Sequence, residues 1–393
     1  MRLPPARLFL VIPLALCALL AGGAVRVVQD QCGPFTDVSP GLCPYVLEMY
    51  YLGITAGTSA TTFSPDSPMT RGQAAVFVSK AINQTLARSS RRAALGQWWT
   101  TTPHWDLGLG VTAVGGGPFA AACDGSDVWT TVTNDGLVAR VRASDGKLLE
   151  TWTGATNATA ILSAMGRIFL TRNYPPEALY MIDPSQPAGS PTAVTADLGG
   201  PSFGLAFDGS RIWATSFKAA VLIITPGSSI PWSVTTVTTG FMAPIGIVWD
   251  GSNIWVGDQL ASSLFKLDAG GSILQTVALP AEPGSPAFDG ANIWVPVGGA
   301  PAPSSVVVVR VSDGTILANL PMGNNGGVGG AAFDGERVLT TDPPSQRIYL
   351  WRAADFAPLG NFATEVSGFP LNVASDGVNF WVTLNGNGQL GRF

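Results

Sequence analysis

From about residue 118 to the end of the chain, short apolar runs with an in-and-out alternation are separated by polar turns, and the arrangement repeats. SFGLAFDG at 202–209 is an apolar run ending in Asp-Gly. NIWVGD at 253–258 opens a second kind of run, SLFKLDA at 263–269 alternates as a third, and SILQTVALP at 272–280 follows a polar turn as a fourth. Period-two alternation over five to seven residues, broken by Asp-Gly or Gly-Gly, predicts antiparallel strands joined by hairpins.

Aligning the chain on Asp-Gly fixes the period. Asp124, Asp208, Asp250, Asp289, Asp334 and Asp376 each precede glycine, at intervals of 84, 42, 39, 45 and 42. The first interval is double the others, which predicts a degenerate copy near 166. SAMGRIFLTRN supplies it, with Gly166 in place and Met165 where the acid belongs. Seven copies of four short strands at about 42 residues predict an all-β, seven-bladed β-propeller. The seventh copy stops at Phe393 with its fourth strand missing. GQWWTTTPHWDLGLG, Gly96 to Gly110, is strand-like and otherwise unassigned, so it is expected to close the ring and remove a free sheet edge.

Two residue types recur inside the repeat. Trp129, Trp213, Trp255, Trp294 and Trp381 occupy one blade position, and a repeated internal aromatic is expected to pack between neighbouring sheets. Asp before Gly is what a tight turn demands, because Asp bonds to nearby backbone and Gly accepts positive φ. The repeated aspartates are therefore expected to be turn residues, with no metal-binding role.

The pattern of the first hundred residues differs. Apolar residues in Tyr45 to Leu52 have helical spacing and Gly53 follows as a stop. Thr70 can cap a second helix from Arg71 to about Ile82, with Ala74, Phe77, Val78 and Ala81 on one face. None of the twelve tryptophans precedes Trp98, so the two regions are read as separate: 25–87 helical, 88–95 a linker around Arg88, Arg91 and Arg92, and 96–393 the propeller.

Composition and charge add the compartment. The chain opens MRLPPARLFLVIPLALCALLAGGAV, two arginines before an apolar run with small residues after it, which predicts a secretory signal peptide over 1–24. Its removal leaves 19 basic against 26 acidic residues, a net charge of −7, and an acidic protein is a poor fit to nucleic acid. Membrane contact is expected only through that segment before cleavage. Of the four cysteines, Cys17 falls in the signal and Cys123 in an apolar strand. Cys32 and Cys43 lie eleven apart in the helical region, where an exported protein can hold a disulfide; two free thiols are the other reading.

The helical segment resembles an S-layer homology module. Phe35, Asp37 and Val38 match its opening F-x-D-V, Leu52-Gly53-Ile54 with Gly57 the central L-G-I-x-x-G, and Phe63-Ser64-Pro65 then Thr70-Arg71 the F-x-P followed by T-R. The resemblance implies binding of cell-wall polysaccharide or peptidoglycan-linked glycan, with Arg71 contacting an acidic glycan and Asp37 in a structural part. The family's T-R-A-E reads Thr70-Arg71-Gly72-Gln73 here, and this chain has one module where the family commonly joins three.

The repeat resembles propellers of the NHL and YVTN class and of the streptogramin B lyase group, across nearly all of 105–393. These motifs identify architecture better than activity. Such lyases depend on histidine beside a divalent metal, and this chain has a single histidine, His104, flanked by Pro103 and Trp105 in the expected closing strand. A lone histidine there is expected to be structural. No G-x-S-x-G elbow, HExxH, Cys-His pair or phosphate loop occurs, so no catalytic residue, metal site or cofactor is assigned. The expectation is an exported envelope protein: a wall-contacting module and a propeller that is a platform for a ligand or protein partner. A propeller lyase or hydrolase is the alternative.

Overall fold

The computed structural model describes residues 32, 34–39, 41–51, 54–87, 110–299, 302–323, 327–364 and 367–393. The expected signal peptide, the linker 88–95, His104 and 96–109 of the expected closing strand fall outside them. The chain divides into two compact units, Met1–Thr100 and Thr101–Phe393, each described by itself.

The first unit holds two helices, α1 (Cys43–Tyr51) and α2 (Arg71–Ala87). Among the described residues its core holds Cys32, Phe35 and Val46, all buried, with Val38, Cys43, Leu47, Tyr50 and Phe63 packed against them. Thr70 and Gln73 cap α2 reciprocally. The Gln73 N–H donates to Thr70 Oγ1 at 3.2 Å, and the Thr70 N–H donates to Gln73 Oε1 at 2.8 Å. Ala74 and Phe77 on α2 are half-buried, but Val78, expected beside them, is 59% exposed. Val78 sits one residue past Phe77, about 100° further round the helix, on its exposed side.

The second unit is a seven-bladed β-propeller. Blades 1 to 7 span 118–153, 158–193, 205–237, 244–278, 282–321, 331–363 and 370–392, each a sheet whose first strand is innermost. Blade 7 takes its fourth strand from the other end of the propeller: Val111–Ala113 pairs antiparallel with Gln389–Arg392, Thr112 opposite Leu390. The closing strand thus lies just beyond the expected range, of which only Gly110 is described. In blade 5 the innermost strand is split into Glu282–Pro283 and Ala287–Phe288, both paired with Asn292–Gly299. Pro286, which has no N–H to give the ladder, falls in the break.

Seven buried clusters match the seven blade interfaces, and the repeated tryptophans anchor five of them. Trp129 packs with Ile161 and Ile168 of blade 2, Trp213 with Ile247 and Ile254 of blade 4, and Trp255 with Ile293 and Val295 of blade 5. Trp294 meets Ala331 and Val338 of blade 6, and Trp381 meets Val128 of blade 1. All five are fully buried.

The same tryptophans are tied to the repeated aspartates. Each indole Nε1–H donates to Oδ2 of the aspartate five residues earlier: Trp129 to Asp124, Trp213 to Asp208, Trp255 to Asp250, Trp294 to Asp289 and Trp381 to Asp376, at 2.7 to 2.8 Å. Oδ1 takes the turn, accepting in blade 4 from the Ser252 and Asn253 N–H at 2.8 and 2.6 Å. One carboxylate therefore closes the turn and satisfies a buried indole. Gly251 has φ +94° and open space where a Cβ would stand, so its glycine is required by the dihedral alone. Blade 2 has a turn of the same length, Ser163 pairing with Ile168 as Phe207 pairs with Ile212, but Ala164, and not Met165, holds the acid's place five residues before Phe169. Met165 and Gly166, with φ 53° and 67°, join Ala164 to Arg167 directly, and Phe169, which has no N–H to satisfy, takes the tryptophan position. In blade 6 that position is Leu339, and Arg337 Nε reaches Asp334 Oδ2 instead.

Candidate functional site

The meander of each blade sends its first-to-second and third-to-fourth turns to one end of the ring and its remaining loops to the other. The two ends differ in chemistry. All eight ion pairs among the described residues lie at the Asp-Gly end, including Arg140 with Asp127 and Glu150, Arg211 with Asp208, and Arg310 with Asp313. There, burial raises the Asp208 carboxyl, but hydrogen bonds from Trp213, Arg211 and Ser210 outweigh it and hold it at about 2. Asp124 is lowered in the same way, burial being outweighed by Trp129 and by the Asp127 and Ser126 N–H groups. Carboxylates held this firmly in ionised form, with donors at both oxygens, are structural acceptors.

Two shallow grooves open at this end between blades. One, of 260 Å³, lies against Asp208, Arg211 and Trp249, and the other, of 350 Å³, against Asp124, Arg140 and Met165. One is below and the other just above the small end of ligand pockets, roughly 300 Å³. Their charged groups are already matched: Arg211 holds Asp208 through two nitrogens at 3.0 and 2.9 Å.

The opposite end has no ion pair among the described residues. Its loops present Tyr174, Phe217, Met242 and Leu260 in succession over blades 2 to 4, each between 43% and 64% exposed. Inside this arc Phe203 bridges Phe217, at 6.0 Å between ring centroids, and Phe119 of blade 1, at 6.5 Å. Two carboxylates at this end are turned to backbone, while buried Asp342 accepts from Ser304 Oγ at 3.3 Å. Asp258, fully buried, accepts from the Met242 and Ala243 N–H at 2.7 and 2.9 Å, and Asp135 accepts from Gly116.

Threonines two residues past the tryptophan position stitch the blades beneath this surface. Thr215 Oγ1 accepts from the Gly204 N–H of its own blade and donates to the Ile245 carbonyl of the next, at 3.0 and 2.8 Å. Thr341 bridges Gly330 to Leu371, and Thr383 bridges Asn372 to Phe119. Blades 4 and 5 carry Gly257 and Pro296 there, and the inner strands close up on glycine instead. A Cβ on Gly284 would stand 2.1 Å from the Gly329 carbonyl oxygen. The residues of this end, and the threonine ring, are absent from the expected sites. The loop residues do not repeat, so no periodic signal marked them; the threonines recur at one offset, but their partners lie in the following blade.

In the helical unit, Asp37 is a clamp. Its Oδ1 and Oδ2 accept from the Phe63 and Ser64 N–H at 2.8 and 2.7 Å, and these bonds, the Phe63 one first, lower its carboxyl below the ordinary range. Arg71 is the first residue of α2, exposed, and makes no ion pair among the described residues. Cys32 and Cys43 are reduced in this structure and lie side by side, the Cys32 thiol 3.4 Å from the Cys43 carbonyl. Among the described residues no group of three or more His, Cys, Asp or Glu is placed to hold a metal ion, and no helix is long and apolar enough to cross a membrane.

Residues 34–75 match the S-layer homology domain, which identifies a cell-surface or envelope-associated protein; such domains bind secondary polymers of the cell wall. No curated protein matches the chain. Among solved structures, a streptogramin B lyase is 15% identical with a TM-score of 0.59, covering 72% of this chain and 95% of that one. A hydrazine synthase of Kuenenia stuttgartiensis is 14% identical at 0.60, covering 70% and 95%. A catalytically inactive virginiamycin B lyase from Staphylococcus aureus with quinupristin is 15% identical at 0.59, covering 72% and 97%. At these identities the likeness is one of fold.

Proposed function

We propose that the protein is exported, is held at the cell wall through Arg71 of its S-layer homology module, and binds a partner through the ion-pair-free end of its propeller. The segregation of charge between the two ends carries this reading. Paired charges at the Asp-Gly end build turns and blade interfaces, whereas the opposite end exposes Tyr174, Phe217, Met242 and Leu260 around a packed aromatic centre. Contiguous exposed apolar residues on a stable scaffold mark interaction surfaces. Arg71 supports the anchoring half, being exposed and without an ion pair among the described residues at a helix N-terminus, where positive partial charge favours an anion.

Sedimentation of the full chain with purified cell-wall material tests the anchor, and comparison of wall proteins retained by parent and by the Phe217→Asp, Leu260→Asp variant tests the face. Arg71→Ala is expected to lose wall binding with its fold intact, and the double variant to lose protein capture with wall binding intact. Wall binding unchanged by Arg71→Ala would reduce the module to a spacer. The alternative, a propeller lyase, is supported by the fold likeness alone. Linearisation of a streptogramin B antibiotic with added magnesium, abolished by His104→Ala in folded protein, would replace the binding reading with it.

A further inference from the structure

We infer that Cys32 and Cys43 are the two halves of an intramolecular disulfide that completes the core of the helical unit. Cys32 is 4% exposed and bridges through its backbone to Phe35. Cys43, the first residue of α1, turns its side chain into the same cluster, which has three buried members. A unit of about fifty residues buries little apolar surface, and small exported domains are commonly held by disulfides. Among the described residues no α2 side chain belongs to this cluster.

The positions also suit the chemistry. Burial, then the neighbouring Cys43 thiol, pushes the Cys32 thiol up to about 12, so Cys32 is the resolving sulfur and half-buried Cys43 the attacking one. Cys43 as thiolate attacks the disulfide of an envelope thiol–disulfide oxidant, forming a mixed disulfide and releasing one oxidant thiolate. Cys32 then displaces the second oxidant sulfur, passing its proton to it. Two thiols become one disulfide, and the oxidant leaves as a dithiol. The bond fixes segment 32–39 on α1. That segment carries Asp37, whose carboxylate orders Phe63 and Ser64 on the way to Thr70 and Arg71. The inference stands whether or not the module binds glycan.

The test uses the full chain recovered from the exported fraction. It is denatured, alkylated without reductant and mapped by mass spectrometry. Cys123 alone should be alkylated, with the peptides carrying Cys32 and Cys43 cross-linked, and reductant should expose all three thiols. Alkylation of Cys32 and Cys43 without reductant, or a cross-link that includes Cys123, overturns the inference. In thermal melts the helical unit of Cys32→Ser, Cys43→Ser should match the reduced parent and lie on the order of 10 °C below the oxidised parent. Equal melting of oxidised and reduced parent would remove the stabilising role.

Discussion

Replacing Trp255 with phenylalanine isolates the bond between the repeated indole and the repeated carboxylate. Oδ1 of Asp250 keeps both turn N–H groups, so the turn survives, while Oδ2 loses the donor 2.7 Å away. Phenylalanine keeps an aromatic ring under Lys266, whose Nζ lies 5.3 Å from the indole centroid. A hydrogen bond to a charged group contributes ~1.5–3 kcal/mol, and the ring atoms lost from a closed interface add ~1 kcal/mol, giving a cost of ~2.5–4 kcal/mol. The cycle with Asp250→Ala separates the two contributions, since packing loss cancels and the pairwise coupling of ~1.5–3 kcal/mol remains. Trp213→Phe is the internal control: Asp208 Oδ2 retains Arg211 Nε at 3.0 Å, so its loss should be smaller by ~1 kcal/mol. Urea denaturation of the full chain, followed by circular dichroism, reads both. A coupling below ~0.5 kcal/mol, or equal losses at 213 and 255, would refute the claim that the carboxylate holds the indole.

Three further outcomes are expected. Asp208 is held at about 2 in the folded chain, below its unfolded value, so its contribution is complete above pH ~4 and is lost as pH falls through 2; the stability gap between parent and Trp213→Phe should narrow over that window in an acid titration. Gly284→Ala puts a Cβ against the Gly329 carbonyl oxygen while Gly209→Ala meets open space at φ +94°, so the first should separate two inner strands and expose them to limited proteolysis, whereas the second should cost only ~1–2 kcal/mol of dihedral strain. Thr112→Pro removes a donor from the closing strand opposite Leu390, and should free the edge of blade 7; a melt as cooperative as the parent's would mean that the ring is closed by other contacts.

How much of this was legible depended on whether a feature repeats. The Asp-Gly turn and the tryptophan after it recur at a fixed offset, so the blade count and even the degenerate copy at Met165-Gly166 could be read from spacing. Aspartate and tryptophan were nevertheless read as separate devices. Their bond needs the hairpin turn that brings residue six back over residue one, which no linear pattern displays. The threonines at 215, 341 and 383 also share an offset, but their acceptors belong to the following blade, and only ring closure brings them within reach. Val78 failed because the buried face of the helix was read one position too wide. Gln73, a departure from the family pattern, fills the capping role because an amide oxygen accepts the Thr70 N–H as a carboxylate would.

The division between the two ends follows from the same logic and bears on function. An Asp-Gly turn must place a carboxylate at its end of every blade that has one; arginines at 211 and 337 settle on those carboxylates, and Arg140 on Asp127 at the same turn. That end is consequently committed to holding the ring together, and a substitution there is felt first as lost stability. Loops at the other end carry no such duty. Their strands are already stitched by threonine hydroxyls and close glycine contacts a few residues below, so the loop residues can vary without loosening the blades. Tyr174, Phe217, Met242 and Leu260 expose apolar surface where the fold does not require it. A rigid base with free loops above it is the arrangement in which binding residues accumulate, which is why the partner is sought at that end.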